Sequence, residues 1–173
     1  FVTNMDDDHA SFRELVLKLE RRFGRCIAPF QLPIRENEKF VGYVNVVKMA
    51  GRRFTNLSDY EECEIPDYSQ KNLGIARDAL LEAVAETSEE YMERYFSGEE
   101  FTLEEIQGAL REHVIDGSIV PVLMGSGANC QGFKTLLQVI DRYLPTPDKF
   151  ECIGVDVSTG ERFTAKYNDQ VSL

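Results

Sequence analysis

Two stretches of this 173-residue chain constrain its fold most, because each reads as a buried strand that runs into a polar loop. The first covers residues 1–6. The second covers residues 119–127, and a helical pattern and the exit Leu-Pro-Thr-Pro at 144–147 follow it. An open parallel sheet places its ligand contacts at the carboxyl ends of its strands. We therefore expect the two loops to lie side by side at one edge of such a sheet.

Size and charge narrow the class of protein. A chain of 173 residues fits one domain with an appendage, or two small domains. The net charge of −11 is concentrated in residues 59–112, which carry 16 acids and 4 bases, whereas the remainder carries 14 acids and 15 bases. Such an acidic segment repels phosphate backbones and attracts basic proteins, so we expect no direct DNA binding.

Hydropathy and cysteine usage favour a cytoplasmic protein. No stretch approaches the run of about 20 apolar residues that spans a bilayer, so we expect no membrane contact. Cys26, Cys63, Cys130 and Cys152 are scattered without a CxxC or Cys-His spacing. This pattern predicts reduced thiols and no metal site.

Capping boxes predict where three helices begin. In each box a Ser or Thr side chain caps the helix and a carboxylate three residues later reaches back. The three pairs are Ser11…Glu14, Thr87…Glu90 and Thr102…Glu105. A further helix is expected after Pro66, and another from Phe133 to Leu144. Three apolar stripes after Pro66, within residues 73–84, 91–96 and 103–114, are interpreted as core packing.

Residues 26–65 differ from the helical segment before them in being rich in β-forming residues, and they predict a small antiparallel sheet. The β-rich segments are 26–34, 39–49, 52–56 and 60–65, with turns expected around Glu36-Asn37 and Ala50-Gly51. Their connections are too short for parallel crossovers. Residues 148–173 alternate weakly around Ser158-Thr159-Gly160, which predicts a loose hairpin or a linker.

The two polar loops carry groups that suit guanine. Guanine presents two adjacent donors, N1–H and the N2 amine, and a fixed carboxylate accepts both in a charge-assisted pair that adenine cannot make. Asp6 is predicted to take this role. A backbone N–H of the loop Ser126-Gly127-Ala128 is predicted to donate to guanine O6, because glycine permits close approach to a ring.

A purely structural interpretation of the same residues exists. Asp6 is also a common turn or helix-capping residue, and Ser126-Gly127 by itself is a loop. The order of the two loops, the amphipathic helix after each and the Leu-Pro-Thr-Pro exit favour the guanine site.

The ordered segments of this chain resemble elongation factor G, a family of translational GTPases, over nearly the whole length. That family carries Asn-Lys-Met-Asp in the first loop and Gly-Ser-Ala in the second. It also has segments similar to residues 28–34, 80–87, 119–122 and 132–137 of this chain.

The resemblance implies an α/β fold that forms the C-terminal part of a P-loop GTPase domain and carries an inserted α+β subdomain. Residues 1–24 and 113–147 correspond to the GTPase domain, and residues 25–112 to the insert, a small antiparallel sheet plus helices. Residues 148–173 correspond to the linker toward a second, β-barrel domain. Since the chain opens inside the first loop without Met, we expect it to be a piece of a longer protein.

The resemblance also implies a function. The parent protein would couple GTP binding and hydrolysis to translocation on the ribosome. Residues Thr3, Asn4, Asp6, Ser126, Gly127 and Ala128 would contact the guanine of GTP or GDP, and the acidic insert would contact the ribosomal stalk protein. The chain has no GxxxxGK[ST] phosphate loop and no switch segments for Mg²⁺. We therefore expect no catalytic residue here, weak nucleotide binding and no hydrolysis by this segment alone.

Two departures from the family pattern bear on the site. Where the family has Asn-Lys, this chain has Thr3-Asn4. Asn4 is too short to stack along the base and carries no charge, and Thr3 replaces only part of the family's asparagine. Asp6 is retained, and Gly127 stands where the family has alanine, a change we expect to be harmless because the backbone makes the contact.

Three alternatives remain open at this point. The parent is a divergent elongation factor G paralogue or a ribosome protection protein of the tetracycline-resistance type. In another class, it is a non-hydrolysing protein-interaction module with a decayed nucleotide site. The third alternative is a free-standing small α/β binding domain.

Overall fold

The computed structural model describes residues 1–24, 26–55, 59–146 and 152–165, and the side chains of Cys152 and Ala165 lie outside this description. It forms two separate units, Phe1–Tyr143 and Leu144–Leu173. In the described part of the chain the helices are α1 (Phe12–Phe23), α2 (Asp67–Ala85), α3 (Glu89–Ser97), α4 (Leu103–Asp116) and α5 (Phe133–Tyr143). The strands are β1 (Ile27–Pro29), β2 (Gln31–Glu36), β3 (Lys39–Asn45), β4 (Ala50–Phe54), β5 (Tyr60–Cys63), β6 (Val120–Val122), β7 (Cys152–Val155) and β8 (Arg162–Ala165). The protein is thus a mixed α/β chain, as predicted.

The first unit contains two kinds of sheet. Strands β2, β3, β4 and β5 form an antiparallel sheet in that order, which confirms the predicted small antiparallel sheet. Strands β1 and β6 pair in parallel, with Ile27 opposite Val120. Val2 extends this parallel sheet through a bridge to Met124.

The segment predicted as one strand at 26–34 is two strands in different sheets. The chain changes sheet at Phe30, whose N–H donates to the Val122 carbonyl at 3.1 Å and whose carbonyl accepts from the Val46 N–H at 3.0 Å. β1 lies in the predicted insert 25–112 and pairs with β6 of the predicted segment 113–147. The division into these domains itself stays a prediction.

The predicted turn at Ala50-Gly51 is wrong, because both residues belong to β4. The chain turns instead at residues 46–49, where Val46 and Val47 are buried and Met49 has a left-handed φ of 53°. This turn packs into the core, so its apolar residues resemble a continuing strand. The predicted turn around Glu36-Asn37 is confirmed.

Helix termini follow local chemistry with two corrections. Thr102 and Glu105 form both halves of a capping box. Ser11 caps α1 and accepts from the Glu14 N–H, but the Glu14 carboxylate does not bond back to the Ser11 N–H, so the box predicted there is only half formed. The box predicted at Thr87…Glu90 is wrong. Ser88 caps α3 instead, while the Thr87 hydroxyl donates to the Val84 carbonyl at 2.7 Å, because the carbonyls that end α2 need donors.

Two apolar cores hold the first unit together. The larger one joins the antiparallel sheet to α2, α4 and α5 through residues such as Val44, Leu73 and Leu110. The smaller one joins α1 to the parallel strands and includes Met5 and Met124. The residues that carry the two predicted loops are therefore anchored in the smaller core.

The interpretation of every apolar stripe as core is wrong for parts of two helices. α3 has no buried residue, and the Phe96 side chain is 79% exposed. On α4, Leu103 is 43% exposed. The physical reason is geometric: α3 has only nine residues and packs on α2, and Leu103 is the first residue of α4.

The second unit contains a hairpin. β7 and β8 pair in antiparallel register, and the Asp156 carboxylate accepts from the N–H groups of Ser158 and Thr159 in the turn. The predicted hairpin is therefore confirmed, while residues 148–151 and 166–173 of the predicted linker lie outside the described residues. Within the described ranges, no helix combines the length and apolar character that a bilayer crossing requires.

Candidate functional site

The two predicted strand-loop stretches lie next to each other in the structure. The Val2 N–H donates to the Leu123 carbonyl at 2.8 Å, and the Gly125 N–H donates to the Val2 carbonyl at 2.9 Å. The Met5 N–H then donates to the Gly125 carbonyl at 3.1 Å. Parallel pairing brings the carboxyl ends of both stretches to one edge, as the sequence predicts. We call this edge, residues 1–6 with 123–131, the loop edge.

The first loop presents its polar side chains to solvent. Thr3, Asn4 and Asp6 are all exposed, while Met5 between them is buried in the smaller core. Asn4 has a left-handed φ of 60°, a conformation that asparagine tolerates better than most residues. The buried Met5 side chain therefore fixes the backbone, while the side chains of Thr3, Asn4 and Asp6 lie at the surface.

The Asp6 carboxylate has no hydrogen-bond donor against it among the residues that the structure describes. Its neighbour Asp7 behaves differently, since one Asp7 carboxylate oxygen accepts from the His9 N–H at 2.8 Å. The Asn4 carbonyl accepts from the Asp7 N–H at 3.2 Å and closes a turn around Asp6. Asp6 is thus held on a turn with its acceptor atoms available to a ligand.

The second loop is a tight turn that its own serine holds together. Ser126 is fully buried, and its hydroxyl accepts from the Asn129 N–H at 3.1 Å. The backbones of Ser126 and Gln131 exchange two hydrogen bonds, at 3.0 and 2.9 Å. The Ser126 side chain therefore shapes the loop and does not face solvent.

The two amides after Ser126 remain available. Among the described residues, no acceptor lies against the N–H of Gly127 or of Ala128. A Cβ built on Gly127 would lie 3.6 Å from Thr3 Oγ1, so the two loops meet at this point. The structure brings Thr3 and Gly127 together, and no hydrogen bond joins Asp6 to residues 126–128.

Glycine is required beside the second loop by close backbone approach. A Cβ on Gly125 would lie 2.2 Å from the Gln131 carbonyl oxygen and 2.6 Å from the Phe1 ring. Gly132 has a φ of 87°, and a Cβ there would lie 2.5 Å from the Met124 carbonyl oxygen. Both positions let residues 131–132 fold back tightly onto residues 124–125, which follow β6.

Arg35 is a residue of this site that the sequence analysis missed. Its Nη2 donates to the carbonyls of Met5 and Ala10, both at 3.0 Å, and its Nη1 donates to the Glu38 carbonyl. These contacts clamp the backbone of the first loop from β2. A register shift between Ile34 and Arg35 re-aims the side chain, and such a bulge is visible only once strands are paired.

A cavity of about 360 Å³ opens beside the first loop and the first turns of α1. Thr3, Asn4 and Asp7 line it, together with His9 and Lys18, whereas Asp6 does not. Among the described residues, no group of three His, Cys, Asp or Glu side chains is arranged to hold a metal ion. The chemistry that the loop edge offers is therefore a free carboxylate and two free amides.

Comparison with solved structures finds proteins whose fold is similar to that of this chain. No protein-family model matches the chain. Over 86% of its length the chain is similar to the crystal structure of a protein from Thermus thermophilus, with a TM-score of 0.76 and 33% sequence identity. The chain spans 22% of the length of that protein. The likeness supports the α/β fold described above.

Proposed function

We propose that this chain is the guanine-recognition part of a translational GTPase that resembles elongation factor G. The observation that carries this proposal is the parallel pairing of Val2 with Met124, which brings both predicted loops to one edge of a sheet. The match to a longer Thermus thermophilus protein is compatible with a segment of a multidomain protein. In this scheme the parent protein couples GTP hydrolysis to ribosomal translocation.

The hydrogen-bond donors and acceptors available at the loop edge are of the types that guanine requires. The unpaired Asp6 carboxylate accepts from guanine N1–H and the N2 amine, and an N–H of Gly127 or Ala128 donates to O6. Adenine offers neither the donor pair nor an O6 acceptor, so its binding leaves the carboxylate and the amide unpaired. Thr3 and Asn4 contact the edge of the base and supply less affinity than an asparagine-lysine pair.

The residues present do not fit the rest of the nucleotide. The 173 residues contain no GxxxxGK[ST] sequence that would cradle phosphates, and no segment assigned to Mg²⁺. We therefore derive no hydrolytic step from this chain and expect it to recognise the base of GTP or GDP.

Base recognition is testable with the chain itself. ¹⁵N-labelled chain is titrated with GMP and with AMP, which carry the same phosphate and differ in the base. We expect GMP to shift the amide signals of Gly127 and Ala128 saturably, at concentrations at least tenfold below those of AMP. Equal responses to the two nucleotides would contradict the proposal.

A substitution at Asp6 sharpens the test. Asp6→Asn replaces one acceptor by a donor, so we expect it to weaken GMP binding at least tenfold and to gain xanthosine monophosphate, whose C2 carbonyl accepts from the new amide. Asp8→Asn is the matched control, because Asp8 is exposed in the same loop. A GMP affinity that is unchanged in Asp6→Asn would remove Asp6 from the site.

The acidic helices are proposed as the contact to the ribosome, through the stalk protein. α3 begins with exposed Glu89 and Glu90 and also exposes Glu93 and Phe96. An aromatic side chain within an acidic surface suits a basic partner that has an apolar pocket. We expect Phe96→Ser to weaken binding of purified stalk protein about tenfold, whereas Phe23→Ser, at an exposed phenylalanine of α1, leaves it unchanged.

The alternatives make different predictions for the nucleotide titration and for the binding of stalk protein. A divergent paralogue or a ribosome protection protein of the tetracycline-resistance type keeps both guanine selectivity and the stalk contact. A non-hydrolysing interaction module keeps the stalk contact and loses guanine selectivity. The pair Thr3-Asn4, which stands where the family has Asn-Lys, favours a divergent member.

A further inference from the structure

Arg52, at the centre of β4, is a buried cation without a carboxylate partner. Its side chain is 6% exposed, and no carboxylate of a described residue lies within 4.0 Å of its guanidinium. Glu62 stands opposite Arg52 in the register of β4 and β5, yet it is exposed and makes no ion pair with it. A buried charge is costly unless it is paired, so this arginine requires an explanation.

One edge of the Arg52 guanidinium has no hydrogen-bond acceptor among the described residues. Its Nη1 donates to the Tyr43 hydroxyl at 3.2 Å, and the Tyr60 ring centroid lies 4.2 Å from its central carbon. Tyr43 is held in turn by a hydrogen bond of 2.5 Å to Thr135. The Nε atom is enclosed without an acceptor, and no described residue accepts from Nη2. The Nε and Nη2 edge is the one that binds oxoanions in a bidentate manner.

Gln31 supplies a second unpartnered donor. Its side chain is 1% exposed, and its Oε1 accepts from the Met124 N–H at 2.8 Å, which fixes the orientation of the amide. Its Nε2 is enclosed and has no acceptor. Buried polar groups in folded proteins nearly always have partners, and two unsatisfied donors in one region point to an acceptor that binds there.

Arg52 and Gln31 both line a cleft between the antiparallel sheet and α5, with a volume of about 170 Å³. Lys48 and Arg142 also line this cleft, together with one acid, Asp141. Three cations against one carboxylate leave a local excess of two positive charges. We call this feature the arginine cleft, and none of the six predicted guanine-site residues lines it.

We propose that the arginine cleft binds a phosphate group, either free or as part of a small phosphomonoester. A phosphate dianion neutralises the two excess charges and offers several acceptor oxygens for donors that approach from different directions. A water molecule neutralises no charge, and a single carboxylate neutralises one. Since Nε is closed to solvent, binding requires a small rotation of the guanidinium that brings Nε and Nη2 to the anion.

Because the chain carries a negative net charge, phosphate binding to it would require a specific site. At −11 the protein repels anions at long range, so phosphate is not collected by general attraction. Saturable phosphate binding would therefore report a local site. The proposal is independent of guanine recognition, because none of the six predicted guanine-site residues lines the arginine cleft.

The first test needs no substitution. The chain is titrated with inorganic phosphate and, in a second arm, with glycerol 3-phosphate, each at constant ionic strength against sodium chloride. We expect saturable shifts of the Arg52 Nε–H signal and of the Gln31 side-chain amide signals in at least one arm. Preference for glycerol 3-phosphate would identify a phosphomonoester site. Absence of saturable shifts at these two side chains in both arms would overturn the proposal.

A variant pair gives the second test. Arg52→Gln is expected to weaken phosphate binding at least tenfold, while Arg21→Gln, which removes the charge of an exposed arginine on α1, leaves it within twofold. Arg142→Gln removes a cation from the rim without changing the core, and we expect a threefold to tenfold loss. Wild-type affinity in both Arg52→Gln and Arg142→Gln would contradict the site.

Discussion

The loop edge and the arginine cleft use hydrogen-bonding groups in opposite ways. At the loop edge the polar groups are exposed, and buried neighbours such as Met5 and Ser126 hold the backbone that carries them. In the arginine cleft the donors themselves are buried, on Arg52 and Gln31. Exposed groups on a turn are available at little cost in stability, whereas buried unpaired donors are maintained only where the surrounding fold is rigid.

The largest expected effect breaks the scaffold of the arginine cleft. A Cβ on Gly42 would lie 2.1 Å from the Arg52 carbonyl oxygen and 3.0 Å from the Arg53 Cα, so Gly42→Ala forces β3 and β4 apart. We expect the free energy of unfolding to fall by about 3 kcal/mol. Urea denaturation measures the change.

Gly108→Ala is the control for that experiment. Gly108 lies in α4, and a Cβ there meets nothing within 4 Å, so we expect this substitution to stabilise the chain by up to about 1 kcal/mol. A Gly42→Ala variant as stable as the wild type would show that β4 shifts freely. The rigid support that we infer for Arg52 would then be absent.

The next effect tests what holds the loop edge. Arg35→Ala removes the donors to the carbonyls of Met5 and Ala10, and hydrogen bonds to charged groups contribute about 1.5–3 kcal/mol each. Because Arg35 is partly exposed, we expect a loss of roughly 2 kcal/mol in total. Amide hydrogen exchange of residues 5–10 should accelerate at least tenfold, while exchange in β3 and β4 changes in proportion to global stability alone.

Arg13→Ala serves as the matched control, since Arg13 is exposed on α1. Selective acceleration in Arg35→Ala and not in Arg13→Ala would locate the clamp. If exchange of residues 5–10 were unchanged in Arg35→Ala, the first loop would be held by its own turn and by Met5.

A smaller effect is expected from the hydroxyl that positions Arg52. Tyr43→Phe leaves Nη1 of Arg52 and the Thr135 hydroxyl without their partner, and removal of one buried hydrogen-bond partner costs about 1–3 kcal/mol. We expect a loss near the lower end of that range together with weaker phosphate binding. Tyr91→Phe is the control, because the Tyr91 hydroxyl makes no hydrogen bond with a described residue. Unaltered phosphate affinity in Tyr43→Phe would separate Tyr43 from the arginine cleft.

The smallest effect concerns the stability of the fold at low pH. It arises in a third region of the molecule, outside the loop edge and the arginine cleft. The Arg94 guanidinium, followed by the Thr102 backbone N–H, lowers the pKa of Glu105 to about 2. A lowered pKa means that the ionised form stabilises the folded chain. This contribution is complete above pH 4.5, the ordinary value, and is lost as the pH falls toward 2.

Melting temperatures measured between pH 5 and pH 2 test this contribution. We expect Glu105→Gln to lower the melting temperature at pH 5 and to flatten its pH dependence in that window. Glu104→Gln, at the neighbouring exposed carboxylate of the same helix turn, should leave the slope unchanged. Identical slopes in Glu105→Gln and the wild type would assign the acid dependence to other carboxylates.

Local patterns in the sequence predicted most elements because those patterns act within a few residues. Ser11 and Thr102 marked the starts of helices correctly, since capping bonds span only a few residues. The pattern of residues 119–124 predicted a buried parallel strand, and Ile119, Val122, Leu123 and Met124 are buried. The turn at residues 46–49 was missed because its valines serve the core and resemble strand residues.

The same contrast separates the two candidate sites. The loop edge was predictable in outline, since strands that end in polar loops align their carboxyl ends wherever they pair in parallel. The contact of Arg35 with the first loop was not predictable, because a β-bulge sets the direction of that side chain. The arginine cleft left no local signal: Gln31, Arg52 and Thr135 lie far apart in sequence.

The sequence by itself determined the helix caps at Ser11 and Thr102 and the residue types at both loop tips. Tertiary structure alone decided that Thr3 meets Gly127, and that Arg52 is buried without a carboxylate and lines one cleft with Gln31. The physical reason is the separation along the chain of the residues that interact. A helix cap depends on neighbours in the chain, whereas burial of a charge depends on which distant elements pack over it.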